Sequence, residues 1–366
     1  MDLIGLKEEG MTDTGKDQTK TEAFADRMLD ILNDGALALM TSMGHRTGLF
    51  DVMSKLPPST SEQIAAAAGL NERYVREWLC AMVTGGFVEY DHSPATYHLP
   101  PEHAASLTRS ASPENIAAFA QYIPLMGTVE DQVVACFKNG GGVPYSAYAR
   151  FHEVMAEDSG QTVVAALMDT ILPLVPGLIG ELKSGIEVLD VGCGAGRALN
   201  LMAAAFPNSR FTGYDISEEA TATARSAAEQ NGLTNLRFEV RDATALGAFE
   251  KYQLITAFDA IHDQVQPAKV LEEIAKALHP EGTFLMQDVA ASSQVQNNID
   301  HPVGPLLYTL SCMHCMTVSL AENGAGLGAM WGEELARTML QETGFSQIEI
   351  KKLPHDFQNV YYIIKK

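Results

Sequence analysis

The run VLDVGCGAGRALNLM at residues 188–202 restricts the fold more than any other segment. An apolar strand ends in Gly192, Gly194 and Gly196, and a helix-forming segment starts at once. Such a unit belongs to a parallel sheet, whose strands are apolar throughout because helices cover both faces. The alternation continues downstream. SRFTGYDI, LRFEVRDA, YQLITAFDAI and GTFLMQDVA read as strands, with helices through EEATATARSAAEQNG and PAKVLEEIAKAL. After the helix GEELARTMLQETG, the segments SQIEIKKL and NVYYIIKK are joined only by PHDFQ. That linker is too short for a crossover, so the last two strands are antiparallel.

The N-terminal part follows a different pattern. Residues 1–20 are polar and aperiodic and read as a disordered tail. From Thr21, apolar residues such as Phe24, Met28, Leu29 and Leu32 recur at helical spacing as far as Gly44. Ser59 to Ser61 cap a further helix with Glu62 placed to close a capping box; Gly69 ends it and Asn71 caps the next. FVEYD and ATYHL then form a two-stranded wing, which makes residues 21–110 a winged helix. Residues 111–180 are a helical connector or lid, broken at Gly140, Gly141, Gly142 and Pro144 by a flexible hinge or loop. Tyr145, Tyr148, Phe151 and His152 follow that break. Residues 181–366 form the α/β domain, with a long insertion at 291–331.

Composition narrows the function. The 366 residues carry 46 acidic and 25 basic side chains, a formal charge of −21, which disfavours nucleic-acid binding. The second helix of the winged unit sets Arg73 and Arg76 against Glu72 and Glu77 and presents no basic face, so scaffolding or dimerisation is expected of it. Five cysteines in a chain this long make no disulfide framework. No signal peptide or membrane-spanning run is visible, and a cytoplasmic protein is expected.

Glycines let a backbone turn sharply and approach a ligand without Cβ interference. The dinucleotide fingerprint needs Gly or Ala where Arg197 stands, so the phosphate-binding version fails. Asp215 ends the next strand, where a carboxylate can accept two ribose hydroxyls, and Asp242 ends the one after, where it can receive an adenine amino group. These features resemble the class I S-adenosylmethionine-dependent methyltransferases, which also end their sheet in an antiparallel pair. The resemblance implies a Rossmann-like seven-stranded α/β sheet behind an N-terminal winged-helix domain. It implies S-adenosyl-L-methionine as cofactor, S-adenosyl-L-homocysteine as product, and contacts from Asp190, Gly192, Gly194, Gly196, Asp215, Ile216, Asp242, Ala243, Phe258 and Asp259.

The order of domains resembles small-molecule O-methyltransferases, which dimerise through their N-terminal domains, and a related bacterial-type branch. That family places a His-Asp-Trp motif after the fourth strand, with the histidine as general base. His262 and Asp263 match it, whereas Gln264 stands in place of the tryptophan. An imidazole titrating near neutrality suits removal of a proton from a hydroxyl, phenol or thiol. Candidate acceptor contacts are Tyr145, Tyr148, His152, His301, Tyr308, Cys312, His314 and Trp331. The CMHC run offers Cys312, His314 and Cys315 as zinc ligands, but a single cysteine pair among apolar residues favours a core or cavity-lining helix without metal. The expected protein is a homodimeric enzyme acting on a small molecule, with no nucleic-acid or membrane partner. The alternative is a winged-helix regulator that uses the same fold as a ligand sensor.

Overall fold

The computed structural model describes residues 14–366, and the chain divides into two units at Ala104/Ala105. The first unit holds α1 (Thr14–Thr47), α2 (Leu49–Met53), α3 (Ser61–Ala68), α4 (Glu72–Thr84) and the hairpin β1 (Glu89–Asp91) and β2 (Thr96–His98). Helix α5 (Pro101–Leu107) runs across the division. Residues 1–13 of the expected tail lie outside the described residues, and residues 14–20 are already helical. The capping box of α3 also differs from expectation. Thr60 and Gln63 exchange the reciprocal bonds, because the partner must stand three residues after the cap, a place Glu62 does not hold.

Helix α4 buries Val75, Trp78, Leu79 and Met82. The Trp78 indole N–H donates to the Met40 carbonyl at 2.8 Å, and its ring meets Phe50 edge-on at 5.3 Å. The C-terminal half of α1 is thereby fastened to the winged helix. On the outer side of α4, Arg73 pairs with Glu77 and Arg76 with Glu72, so both guanidinium groups are answered within the helix.

The second unit opens with α6 (Tyr122–Gly127), α7 (Glu130–Asn139), α8 (Phe151–Thr162) and α9 (Leu178–Ser184). The sheet domain then runs β3 (Glu187–Val191), α10 (Arg197–Ala205), β4 (Arg210–Asp215), α11 (Glu218–Gln230), β5 (Leu236–Val240), β6 (Tyr252–Phe258), α12 (Pro267–Ala277) and β7 (Leu278–Val289). The insertion carries α13 (Gly304–Leu310), a π-helical turn at Ser311–Cys315 and α14 (Met316–Ala321). Helix α15 (Gly332–Glu342), β8 (Gln347–Lys351) and β9 (Asn359–Lys365) complete the chain.

The seven strands lie in the order β5-β4-β3-β6-β7-β9-β8, parallel except where β9 pairs with β7 and β8. Apolar clusters fill both faces, one around Leu189, Ile255, Met286 and Leu340, the other around Val188, Leu199, Leu254 and Tyr361. Strand order reverses between β3 and β6, and an open α/β sheet binds its ligand beyond the carboxyl ends at such a point.

The three-glycine break is a loop whose last glycine packs closely against α14. A Cβ on Gly142 would lie 1.9 Å from the Thr317 carbonyl oxygen, and the Val143 N–H donates to Thr317 Oγ1 at 2.9 Å. The break is docked on α14. Among the described residues no single helix is long and apolar enough to cross a membrane.

Candidate active site

The loop after β3 owes its shape to its glycines. Gly192, Gly194 and Gly196 have φ of 71°, 51° and 67°, the left-handed region that favours glycine. A Cβ on Gly192 would come within 2.5 Å of Ala260 Cβ, and one on Gly196 within 2.5 Å of the Phe238 ring. Asp215, at the end of β4, accepts the Gly194 N–H on Oδ2 and the Ser217 N–H on Oδ1, both at 2.8 Å. One carboxylate thus latches the glycine loop to the turn after β4.

Asp190 is buried beneath the loop, and Thr256 Oγ1 donates to it at 2.6 Å. Burial pushes its pKa up to about 7, so it has an unmet demand for a positive partner. Ile216 stands 76% exposed at the rim. Asp242 accepts from the Thr244 backbone and hydroxyl at 2.8 Å and caps the short turn that begins at Ala243. Phe258 and Asp259 follow at the end of β6. Arg197 donates to the Ala156 carbonyl and is thereby engaged away from the loop. A glycine cradle, an exposed apolar platform and carboxylates without a loop cation fit a nucleoside with an ammonium-bearing tail, and not a pyrophosphate.

Beside this crevice lies a cavity of about 70 Å³ with His262, Asp263, Asp259, His314 and Cys315 on its walls. His262 Nδ1 donates to Asp288 Oδ1 at 2.7 Å, and the same oxygen accepts the Trp331 indole N–H at 3.0 Å. His262 Nε2 lies 3.3 Å from Asp263 Oδ1. Burial opposes a charge on His262, but Asp288 and Asp263 outweigh it and hold the pKa well above the ordinary histidine value. Burial pushes the neighbouring Cys315 thiol up to about 12.

His314 behaves in the opposite way. Burial lowers its pKa to about 4, although Asp263 Oδ2 lies 3.8 Å from its Nδ1. Its ring stacks on Phe151 at 3.7 Å and 8°, and Nε2 has no hydrogen-bond partner. The π-helical turn sets His314 and Cys315 on the cavity side.

The other expected acceptor contacts are dispersed. Tyr145 and Tyr148 pack edge-on against His314 behind the cavity wall, at 5.3 and 4.7 Å. His152 Nε2 lies 3.3 Å from Ser217 Oγ, next to the cofactor rim. His301 Nε2 meets the Ala290 carbonyl at 2.9 Å and braces its loop. Tyr308 and Cys312 face a separate surface groove with Val133 and Phe137. Trp331 acts through Asp288. CMHC forms no single ligand set. Among the described residues, donor atoms converge around His262, with Asp263 and Cys315 or with Asp259 and Asp288.

Sequence reasoning missed Asp288, although an acidic residue inside the apolar run TFLMQDVA was a usable signal. It also missed Tyr122, Asp158, Gln358 and Asn359, cavity residues that lie in no motif.

Known proteins agree with this architecture. Residues 35–109 match the family model of the Rv2258c-like winged HTH domain, and residues 182–354 match a methyltransferase domain. A ubiquinone biosynthesis O-methyltransferase of Actinobacillus pleuropneumoniae is 31% identical over 128 residues, 33% of this chain and 51% of that protein. The chain thus spans about half the length of the curated relatives it first matches. A Nostoc punctiforme protein assigned as an O-methyltransferase superposes with a TM-score of 0.69 at 19% identity, covering 93% of this chain and 98% of its own. Human N-acetylserotonin methyltransferase, solved with its cofactor, superposes at 0.66 with 16% identity and coverage of 93% and 97%. The chain therefore joins an Rv2258c-like winged helix-turn-helix domain to a methyltransferase domain of the class I fold.

Proposed function

We propose that the protein is an S-adenosylmethionine-dependent methyltransferase acting on a small molecule through a hydroxyl, phenol, thiol or amine. One observation carries the reading: the Asp215-latched glycine loop and the His262–Asp263 cavity open at the same switch point of the sheet. The cofactor supplies an electrophilic methyl group when bound. In this reading Asp215 would receive the ribose, Ile216 and Ala243 the adenine, Asp242 its amino group and Asp190 the ammonium, with Phe258 and Asp259 beside them.

The chain's own residues align the acceptor and take its proton. Asp288 fixes the His262 ring, leaving Nε2 toward Asp263 and the cavity. His262 serves as general base in its neutral form, and because Asp288 and Asp263 hold its pKa well above the ordinary histidine value, turnover is expected to rise with pH. The exposed apolar residues of α1, with Phe24 at 66%, Leu29 at 60% and Leu32 at 66%, suit a homodimer contact made by the N-terminal unit. The regulator reading is disfavoured by the paired arginines of α4, which leave no free cation for a phosphate.

The test is calorimetric titration with S-adenosylmethionine and its demethylated product, followed by methyl transfer from labelled cofactor. Asp215→Ala is expected to weaken cofactor binding by about tenfold or more, as loss of a charge-assisted contact does. His262→Ala is expected to keep that affinity and lower turnover by about a hundredfold. Uptake of NAD or duplex DNA in place of the sulfonium nucleoside would overturn the reading.

A further inference from the structure

The cavity's charge identifies the kind of acceptor it takes. Three carboxylates reach its walls, Asp158 from α8, Asp259 from the end of β6 and Asp263, and neither lysine nor arginine does. The one cationic side chain there, His262, is already shared between Asp288 and Asp263. Asp158 therefore has no positive partner among the cavity residues, and Asp259 has only His262, which Asp288 and Asp263 already engage. Neutral donors reach both: Tyr122 Oη gives a hydrogen bond to Asp158 Oδ2 at 2.7 Å, and Gln287 Nε2 gives one to Asp259 Oδ2 at 3.0 Å.

A second observation points to a ligand independently. His314, 2% exposed and on the same cavity, leaves Nε2 without a hydrogen-bond partner. A buried polar atom in that condition costs free energy until something enters to meet it. Phe151, Met155, Leu307 and Leu310 add apolar lining to the same cavity.

From these placements we infer that the acceptor is a small molecule with an apolar body and a protonated amine, held by Asp158 and Asp259, and that anionic acceptors are rejected. The inference rests on the methyltransferase reading for the word acceptor, while the charge preference rests on the cavity alone. An ammonium group replaces the water these carboxylates lose on burial, whereas a carboxylate or phosphate would enter against their field with only the already engaged His262 to receive it. Burial raises the pKa of Asp158 to about 6, and burial with the nearby Asp288 holds that of Asp259 well above the usual range although His262 pulls it down. The chain's charge of −21 acts in the same direction, drawing cations toward the protein.

Three probes of nearly one shape test this: 3,4-dihydroxybenzylamine, 3,4-dihydroxybenzyl alcohol and 3,4-dihydroxybenzoate. Each is titrated calorimetrically into full-length protein saturated with S-adenosylhomocysteine. The amine is expected to bind at least about tenfold more tightly than the carboxylate, the worth of one charge-assisted contact, with the alcohol between them. Asp158→Asn and, separately, Asp259→Asn are each expected to shrink that ratio to about threefold or less, and circular dichroism identifies a variant that has lost its fold. The inference fails if the carboxylate binds as well as the amine, if none of the three binds, or if both folded variants keep the full ratio. Labelled methyl transfer separates the two layers. Selective binding of the amine without transfer to any probe would keep the charge preference and count against the methyl-transfer reading.

Discussion

Asp190 is a buried carboxyl whose burial works against the stability of the protein at neutral pH. Its folded pKa stands at about 7 because burial penalises its charge, against an ordinary value of 3.8. A raised carboxyl pKa means stability that is fully present below about 4 and lost as pH rises through about 7. At roughly 1.4 kcal/mol per unit, the loss has a ceiling of about 4 kcal/mol. Asp190→Asn is therefore expected to raise the melting temperature of the ligand-free protein at pH 8, with a smaller gain at pH 5.5. The same substitution should weaken binding of the cofactor if Asp190 receives its ammonium group as proposed. Thermal melts at both pH values, beside calorimetry, check the two halves; an unchanged melting temperature at pH 8 would show that Asp190 carries no burial penalty. The chain alone singles out Asp190 and Asp215 inside apolar strands near their carboxyl ends, and Asp242, His262 and Asp263 just after such strands. It does not single out Asp158, whose helix carries polar residues on several sides and whose position over the cavity depends on how that helix packs.

Among the elements, the π-helical turn at Ser311–Cys315 has the most influence on the cavity. One extra residue in a helical turn rotates everything after it by about 100°, and here it brings His314 and Cys315 to the wall. Deleting Ser311 is expected to restore ordinary helix and carry both side chains off the cavity. Turnover should then fall by about a hundredfold, while cofactor affinity, set at the ends of β3 and β4, stays within about threefold. Circular dichroism and calorimetry together check it; turnover at the original level would mean that neither side chain matters. No periodicity foretold this turn, since SCMHC reads as part of an ordinary core or cavity-lining helix. The strands were far more legible. Their apolar runs set the sheet, and the short PHDFQ link required the antiparallel end that β8 and β9 form. The three-glycine break read as a flexible hinge or loop because its contact with Thr317 lies more than a hundred residues along the chain.

For the molecule as a whole, the exposed apolar side chains of α1 set the expected state of association. Phe24, Leu29 and Leu32 are each more than half exposed, although their spacing is that of a buried helix face. Leu29→Glu with Leu32→Glu is expected to convert the proposed dimer to a monomer in sedimentation velocity, with the fold of each unit intact. A monomeric wild-type protein would remove that interface. The winged-helix form of the first unit was legible from its caps and turns, whereas the partner of α1 is not encoded in any local pattern. Ile216 is likewise left in water, at the edge of the proposed nucleoside crevice. A purine that slides over it strips solvent from hydrocarbon, so the heat of cofactor association should grow more exothermic with each degree of warming.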